Sequence, residues 1–588
     1  MKLLYIISII ILITSFLILK KNNKKDNIIN SIIYSICFMF PYQTIVVYIS
    51  GLFNLGGSLI YYSMINILIS LFLLIPTINK KEHQKYYFPK NEIFLYLVLI
   101  LFIFTVVFIR FKGFSILTYL SDDSSIHYRM AMHFKKNLSY LNETNHKDLI
   151  SNNFARAMPV SYINGGFFLK IFEHYKSYKV FIIYDLLCLI LSSILFLSTI
   201  IKLYKNKNNK YLSFLIIAIL YSMAFPLNNL LYGFCYLGIS IMVINLIFIT
   251  IKEIETNINK NMYLNLIILF ILNFTLFFSY YLFVPNIYLS LGLFYIILYK
   301  TKKIKLITLL KYGIITLIIP FIIGFIHFIL PNNGTVVKAI TYYGTIYNNL
   351  TPIYLFIAFI GYLGYKSYKK ELNIKDYLSL NTYITSSYCI IFLVLYILKK
   401  SELYYFYKLF YLFPLFIGLL LTKKFINNKK VINLCLITFL ILIIIPIICG
   451  KSNISTFTSK TNIYSFNANE IFNTETRFNK EELVLIEEVK KNRKVCIYNH
   501  EIPIITKKYK KYWYYAITNI IPITNHNNTG GHQLDNPSVN FYWWENNTKH
   551  PCIVYFNEGT NLNYSHEKYK VLYQNSGGLI LKKKLQRK

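Results

Sequence analysis

Two adjacent carboxylates, Asp122 and Asp123, stand in the polar stretch Ser121-Asp122-Asp123-Ser124-Ser125-Ile126-His127-Tyr128-Arg129. An apolar run over 93–113 ends shortly before it. Charged groups this close to a membrane span mark a substrate path or a water interface. Neighbouring carboxylates can divide a task. One accepts a proton from an acceptor hydroxyl as general base, while the other orients a group or binds a divalent cation such as magnesium or manganese. The pair permits a cation without requiring one. His127 follows Asp123 by one helical turn, so a helix here would put both on one face. It reads equally as a catalytic group or as a surface histidine held by a carboxylate. Arg129 suits an anionic ligand, or a loop salt bridge worth little.

Further basic residues on the same side are candidates for holding phosphate. Arg156 lies in Asn153-Phe154-Ala155-Arg156-Ala157-Met158-Pro159. Its guanidinium forks onto phosphate or snorkels to lipid headgroups. Lys399 and Lys400 sit in a short charged turn with Glu402. Lys408 falls inside an apolar run, where an ammonium is costly unless paired or snorkelling. Asp185 and His327 also lie within apolar runs and read first as polar contacts between helices. His526, His532, Asp535, Trp543 and Trp544 cluster in a Gly/Asn-rich stretch whose aromatics could stack on sugar rings.

The elements that carry these residues are membrane helices. Hydrophobic residues make up 55% of the 588-residue chain and charged residues 15%. Apolar runs long enough for a bilayer, roughly 20 residues each, occur at 3–19, 28–49, 57–77, 93–113, 179–203, 211–229, 232–251, 263–282, 284–299, 306–330, 352–367, 381–398, 404–422 and 430–449. The expectation is a polytopic α-helical membrane protein with about 14 transmembrane helices. The net charge of +37 accompanies an Ile-, Asn-, Lys- and Tyr-rich composition and is not read as a nucleic-acid signal. Its distribution is more informative. Lys-rich connections at 20–27, 78–92, 204–210, 252–262, 300–305, 368–380 and 423–429 all fall on one side, which the positive-inside rule makes cytoplasmic. The long connections 114–178, 331–351 and the tail from 450 then face outward in the cell membrane. Within the first of these, 160–176 is apolar but too short to span, and reads as an amphipathic helix on the outer surface.

The tail reads as a small α/β extracytoplasmic domain. Asn479 caps a predicted helix over 479–492. Strands are expected at Lys494–Tyr498, Cys552–Phe556 and Lys570–Tyr573, with a hairpin through Asn575-Ser576-Gly577-Gly578 into Leu579–Lys583. Cys496 and Cys552 either form a disulfide outside the cell or remain thiols. The domain plan is 1–92, an N-terminal three-helix extension; 93–449, a transmembrane core with outer loop 114–178; and 450–588, the outer domain.

The plan from Ile93 to Lys588 resembles the GT-C superfamily of polytopic membrane glycosyltransferases. The likeness rests on Asp122-Asp123 in the first long outer loop, Met158-Pro159 leading into a surface helix, ten more spans and a soluble tail. It implies sugar transfer from a polyprenyl-phosphate-linked donor to a cell-envelope glycan or lipid acceptor on the outer face. An outer-loop aspartate would be the base, and Arg129, Arg156, Lys399, Lys400 or Lys408 would neutralise the departing phosphate. The partners implied are the lipid-linked sugar and membrane lipids. The competing readings are a transporter or flippase of lipid-linked material, which favours intramembrane charge and paired repeats, a polymerase of lipid-linked glycans, and a non-catalytic membrane protein.

Overall fold

The computed structural model describes residues 1–20, 28–78, 90–119, 123–140, 158–204, 211–223, 225–256, 262–329, 351–369, 375–401, 404–425, 478–491, 502–504, 513–514, 516–518, 552–557 and 564–584. The chain is a polytopic α-helical membrane protein with a small open β-sheet. Its helices are α1 (Lys2–Lys20), α2 (Ile28–Leu52), α3 (Leu59–Ile78), α4 (Lys90–Arg110), α5 (Asp123–Asn137), α6 (Pro159–Ile171), α7 (Ser177–Tyr204), α8 (Tyr211–Met223), α9 (Phe225–Leu231), α10 (Cys235–Thr256), α11 (Met262–Ser279) and α12 (Val284–Lys300). Next come α13 (Leu306–Gly313) and α14 (Ile319–Gly324), joined and followed by π turns, then α15 (Thr351–Tyr368), α16 (Tyr377–Ile397), α17 (Tyr404–Phe410), α18 (Phe413–Phe425) and, in the tail, α19 (Lys480–Lys491).

Among the described residues, nine helices are long and apolar enough to cross a bilayer. The expected fourteen are not reproduced. The helices at Leu59–Ile75 and Tyr211–Met223 are shorter, α15 forms where a span was expected, and 430–449 lies outside the described residues. One expected span is broken. Pro414 has no N–H for the preceding turn, and 404–422 divides into α17 and α18. Residue 224, between α8 and α9, lies outside the described residues.

Polar contacts sort the helix termini into two groups. At one end of the bundle, Tyr96 donates to Asn30 at 2.8 Å, Lys202 pairs with Glu253 at 2.7 Å, and Lys252 pairs with Asp376. At the other, Lys2 pairs with Glu173 at 3.2 Å, and the Tyr62 hydroxyl donates to the Leu138 carbonyl at 2.7 Å.

Helix α6 departs from expectation. It is not laid on the surface: ten of its residues, from Pro159 to Leu169, are buried. The adjacent glycines make that burial feasible. A Cβ on Gly166 would press on the Ala131 carbonyl of α5 at 3.0 Å, and one on Gly165 would reach the Tyr184 ring of α7 at 3.1 Å. Small residues thus let α6 wedge between two neighbours.

The tail carries β1 (Ile502–Ile504), β2 (Cys552–Phe556), β3 (Tyr569–Asn575) and β4 (Gly578–Lys583), in spatial order β1-β2-β4-β3. β1 is parallel to β2, and the other pairs are antiparallel. β2 is buried throughout, as suits an inner strand apolar on both faces. Val554 and Phe556 join the main core, while Ile553 and Tyr555 form a second cluster with Tyr569, Leu579 and Leu581. The expected strands at 552–556 and 570–573 and the hairpin are present. Strand β1 was not foreseen, and Lys494–Tyr498 lies outside the described residues. Cys552 is disulfide-bonded; Cys496 lies outside the described residues.

Asn479 caps α19 as expected. Its Oδ1 accepts from the Glu482 N–H at 2.8 Å, and the Glu482 carboxylate accepts from the Asn479 N–H at 2.8 Å, a reciprocal capping box. Asn479→Ala should therefore lower the stability of the tail by about 1 kcal/mol, read as earlier onset of limited proteolysis in the tail during thermal or urea titration.

Candidate functional site

The site forms where three chain segments meet around the first turn of α5. Asp123 opens that helix and is half-buried. The turn between α9 and α10 passes directly under it. Gly233 there has φ +73°, and any Cβ would collide with Ser124. Only glycine combines that left-handed backbone with so close an approach. The turn places the Phe234 and Tyr236 rings beneath α5. From the opposite side, α17 delivers Lys408.

Lys408 is fully buried. Its Nζ lies 3.7 Å from the centroid of the Phe234 ring, 5.7 Å from that of Tyr411 and 6.0 Å from that of Tyr236. Desolvated cation–π contacts of this kind are worth about 2 kcal/mol. The Asp123 carboxylate acts on the ammonium electrostatically, supplying the opposite charge that a buried cation needs. His127 lies one turn after Asp123, with its ring centroid 5.1 Å from that of Tyr236. Burial, and then the Lys408 charge, push the imidazole down to about 4, so it is neutral at pH 7. Its Nδ1 has no hydrogen-bond partner among the described residues.

The structure therefore brings together Asp123, His127 and Lys408. Arg129 is buried further along α5. Lys399 and Lys400 are exposed on the turn after α16. Asp122, Arg156, His526, His532, Asp535, Trp543 and Trp544 lie outside the described residues. No group of three His, Cys, Asp or Glu side chains converges as a metal site among the described residues. The aromatic wall of Phe234, Tyr236 and Tyr411 was missed by sequence reasoning. Its one signal was Gly233 inside Tyr232-Gly233-Phe234-Cys235-Tyr236, a glycine between aromatics at a helix break.

A second layer ties the site to the tail. Leu117 and Phe478 pair through antiparallel backbone hydrogen bonds of 3.1 and 3.4 Å. Trp513 is buried and stacks on Tyr119, centroids 5.4 Å apart, and lies 5.5 Å from the Tyr128 ring of α5. The Tyr119 hydroxyl in turn donates to Asp185 Oδ2 on α7 at 2.7 Å. His327 makes an edge contact with Tyr48 at 5.3 Å. Both intramembrane groups thus make the interhelical contacts expected of them.

The arrangement supplies a carboxylate and a buried lysine amine that act on each other electrostatically, a neutral imidazole whose Nδ1 has no hydrogen-bond partner among the described residues, and flat aromatic faces. It suits a ligand with an anionic group and a ring face. Neither a family model nor a curated protein matches this chain.

Two outcomes test this geometry. A histidine whose folded value lies below its usual 6.5 stabilises the fold in its neutral form. Stability should rise with pH between about 4 and 6.5, because the unfolded chain binds the extra proton there. The span is on the order of 3 kcal/mol. Melting curves across that window should show the acid loss in the wild type and a flatter profile in His127→Gln. Gly233→Ala should destabilise the protein by more than about 1 kcal/mol, lowering Tm and dislodging α5, with Gly233→Asn milder than Gly233→Val.

Proposed function

We propose that the chain is an integral-membrane glycosyltransferase of the outer face of the cell membrane. In this reading it moves a sugar from a polyprenyl-phosphate donor to a cell-envelope glycan or lipid acceptor. The observation that carries the reading is Lys408, buried in an apolar stretch against aromatic rings and within electrostatic reach of the Asp123 carboxylate. Intramembrane charge of this kind marks substrate sites. A membrane-borne lipid phosphate is the anion most readily presented to it.

Chemically, the acceptor oxygen attacks the anomeric carbon as the bond from that carbon to the phosphate oxygen breaks. The bonding pair leaves on the phosphate. Asp123, with Asp122 beside it, takes the acceptor proton. Lys408 offsets the charge that grows on the leaving phosphate. Phe234, Tyr236 and Tyr411 offer faces for the sugar ring. Arg129, Arg156, Lys399 and Lys400 are the further basic residues of this reading, on the path from the headgroups. It needs no nucleotide cofactor, and a magnesium or manganese ion at the aspartate pair is an addition that chelation tests. The disulfide at Cys552 supports an outward-facing tail, since such bonds persist in oxidising compartments. The domain plan of 1–92, 93–449 and 450–588 and the count of about 14 spans belong to the same proposal.

A transporter draws support from the broken pair α17–α18. The two readings separate in one assay: purified protein, radiolabelled polyprenyl-phosphate hexoses and an envelope extract, with and without EDTA. A transferase forms a new glycosidic bond and a transporter does not. Asp123→Asn and Lys408→Met should each lower turnover by at least about 100-fold while leaving membrane expression intact. Asp122→Asn should match Asp123→Asn if the pair shares the proton. Undiminished glycan from Asp123→Asn and Asp122→Asn would overturn the catalytic reading.

A further inference from the structure

A second polar site lies deeper in the bundle, among α7, α9 and α10. Asp185 on α7 is buried at 2% exposure, and Asn229 on α9 at 1%. Both line one small cavity of about 10 Å³, together with Ser192, Cys188 and Cys235. The Asp185 Oδ1 has no hydrogen-bond partner among the described residues, and neither amide atom of Asn229 has one. Asp185 Oδ2 accepts from Tyr119. The Cys235 thiol lies against the carboxylate, but S–H is a weak donor. No basic side chain among the described residues acts on Asp185. Among the described residues, the Ser192 hydroxyl makes one long contact, with Tyr221 at 3.4 Å.

We propose that Asp185, Asn229 and Ser192 form a binding site for one monovalent cation, sodium. A buried carboxylate without a basic partner calls for an opposite charge in a low-dielectric interior. One carboxylate matches one positive charge, whereas a divalent ion would leave a net charge behind. The remaining oxygens, an amide and a hydroxyl, are hard neutral ligands that suit an alkali cation. The cavity is at the lower limit of what admits a water, so the smaller sodium ion is favoured over potassium. Pro226 also lines the cavity, and its ring nitrogen leaves a carbonyl of the preceding turn without its helical donor. The bound ion would hold α9 against α7, and with it the turn through Gly233 that supports α5. The site is separate from Asp123 and Lys408 and goes beyond the transferase reading.

The test uses the purified full-length chain in detergent, with sodium chloride exchanged against N-methylglucamine chloride at constant ionic strength. Retention of ²²Na⁺ should saturate at one ion per chain, and Tm should rise with sodium concentration. Potassium should compete at least about tenfold less well, and Asp185→Asn should weaken retention by about tenfold or more. Ser192→Ala, which removes only a hydroxyl, should weaken it less and covers the case in which Asp185→Asn fails to fold. No ²²Na⁺ retention, with equal Tm in both salts, would overturn the proposal and leave a carboxyl group holding its own proton or a water. So would retention unchanged in folded Asp185→Asn, or in Ser192→Ala if only that variant folds. Neither readout depends on turnover, so loss of the transferase reading would leave this one standing.

Discussion

A buried ammonium cannot be left alone in a medium of low dielectric, and Lys408 is fully enclosed. Much of the local architecture follows from that constraint. Asp123 must start a helix close enough to act on it. Phe234 must turn its ring face toward Nζ at 3.7 Å. Such a pair gives little net stability, because desolvation cancels much of the attraction, and removing one partner is more damaging than removing both. Its retention inside a span therefore fits a site better than a brace. Burial, and then the Lys408 charge, keep the His127 imidazole neutral.

The outer parts of the molecule serve this enclosure. Helix α6 is wedged between α5 and α7 through Gly165 and Gly166, so the base of α5 cannot shift. The tail reaches in with Trp513, which stacks on Tyr119 and touches Tyr128. Tyr119 continues to Asp185 on α7. The tail is thus part of the packing around α5. Its sheet is built for that role, since one face of β2 joins the main core while the other makes a core of its own.

The sequence revealed the features that depend on local pattern. Long apolar runs marked the helices, Asn479 and Glu482 marked the start of α19, and Asn575-Ser576-Gly577-Gly578 marked the hairpin. Asp123 and His127 were legible from their spacing, and Lys408 from its cost. What escaped were features set by tertiary contact. The strand β1 is short, with Pro503 at its centre, and gains its place by pairing with β2. Helix α6 has the length and composition of a surface helix; only the close approach at its two glycines shows it to be internal. Phe234, Tyr236 and Tyr411 look like ordinary apolar filling until the break before α10 turns them toward Lys408.

Two turns link these misses. Hydropathy counts 404–422 as continuous, because Pro414 barely changes the mean. In a bilayer, non-helical backbone is tolerated only where protein buries it or water reaches it. The turns after α9 and after α17 meet that condition in one region. The first packs on Ser124, and the second carries Tyr411 toward Lys408. The orphaned polar groups of Asp185 and Asn229 lie beside the first. Interrupted helices, buried charge and unsatisfied polar atoms are each expensive in a membrane. Their convergence on α5, α7, α9, α10 and α17 sets this region apart from α1, α4 and the α13–α14 helix, whose spans are mostly exposed and can be covered by lipid alone.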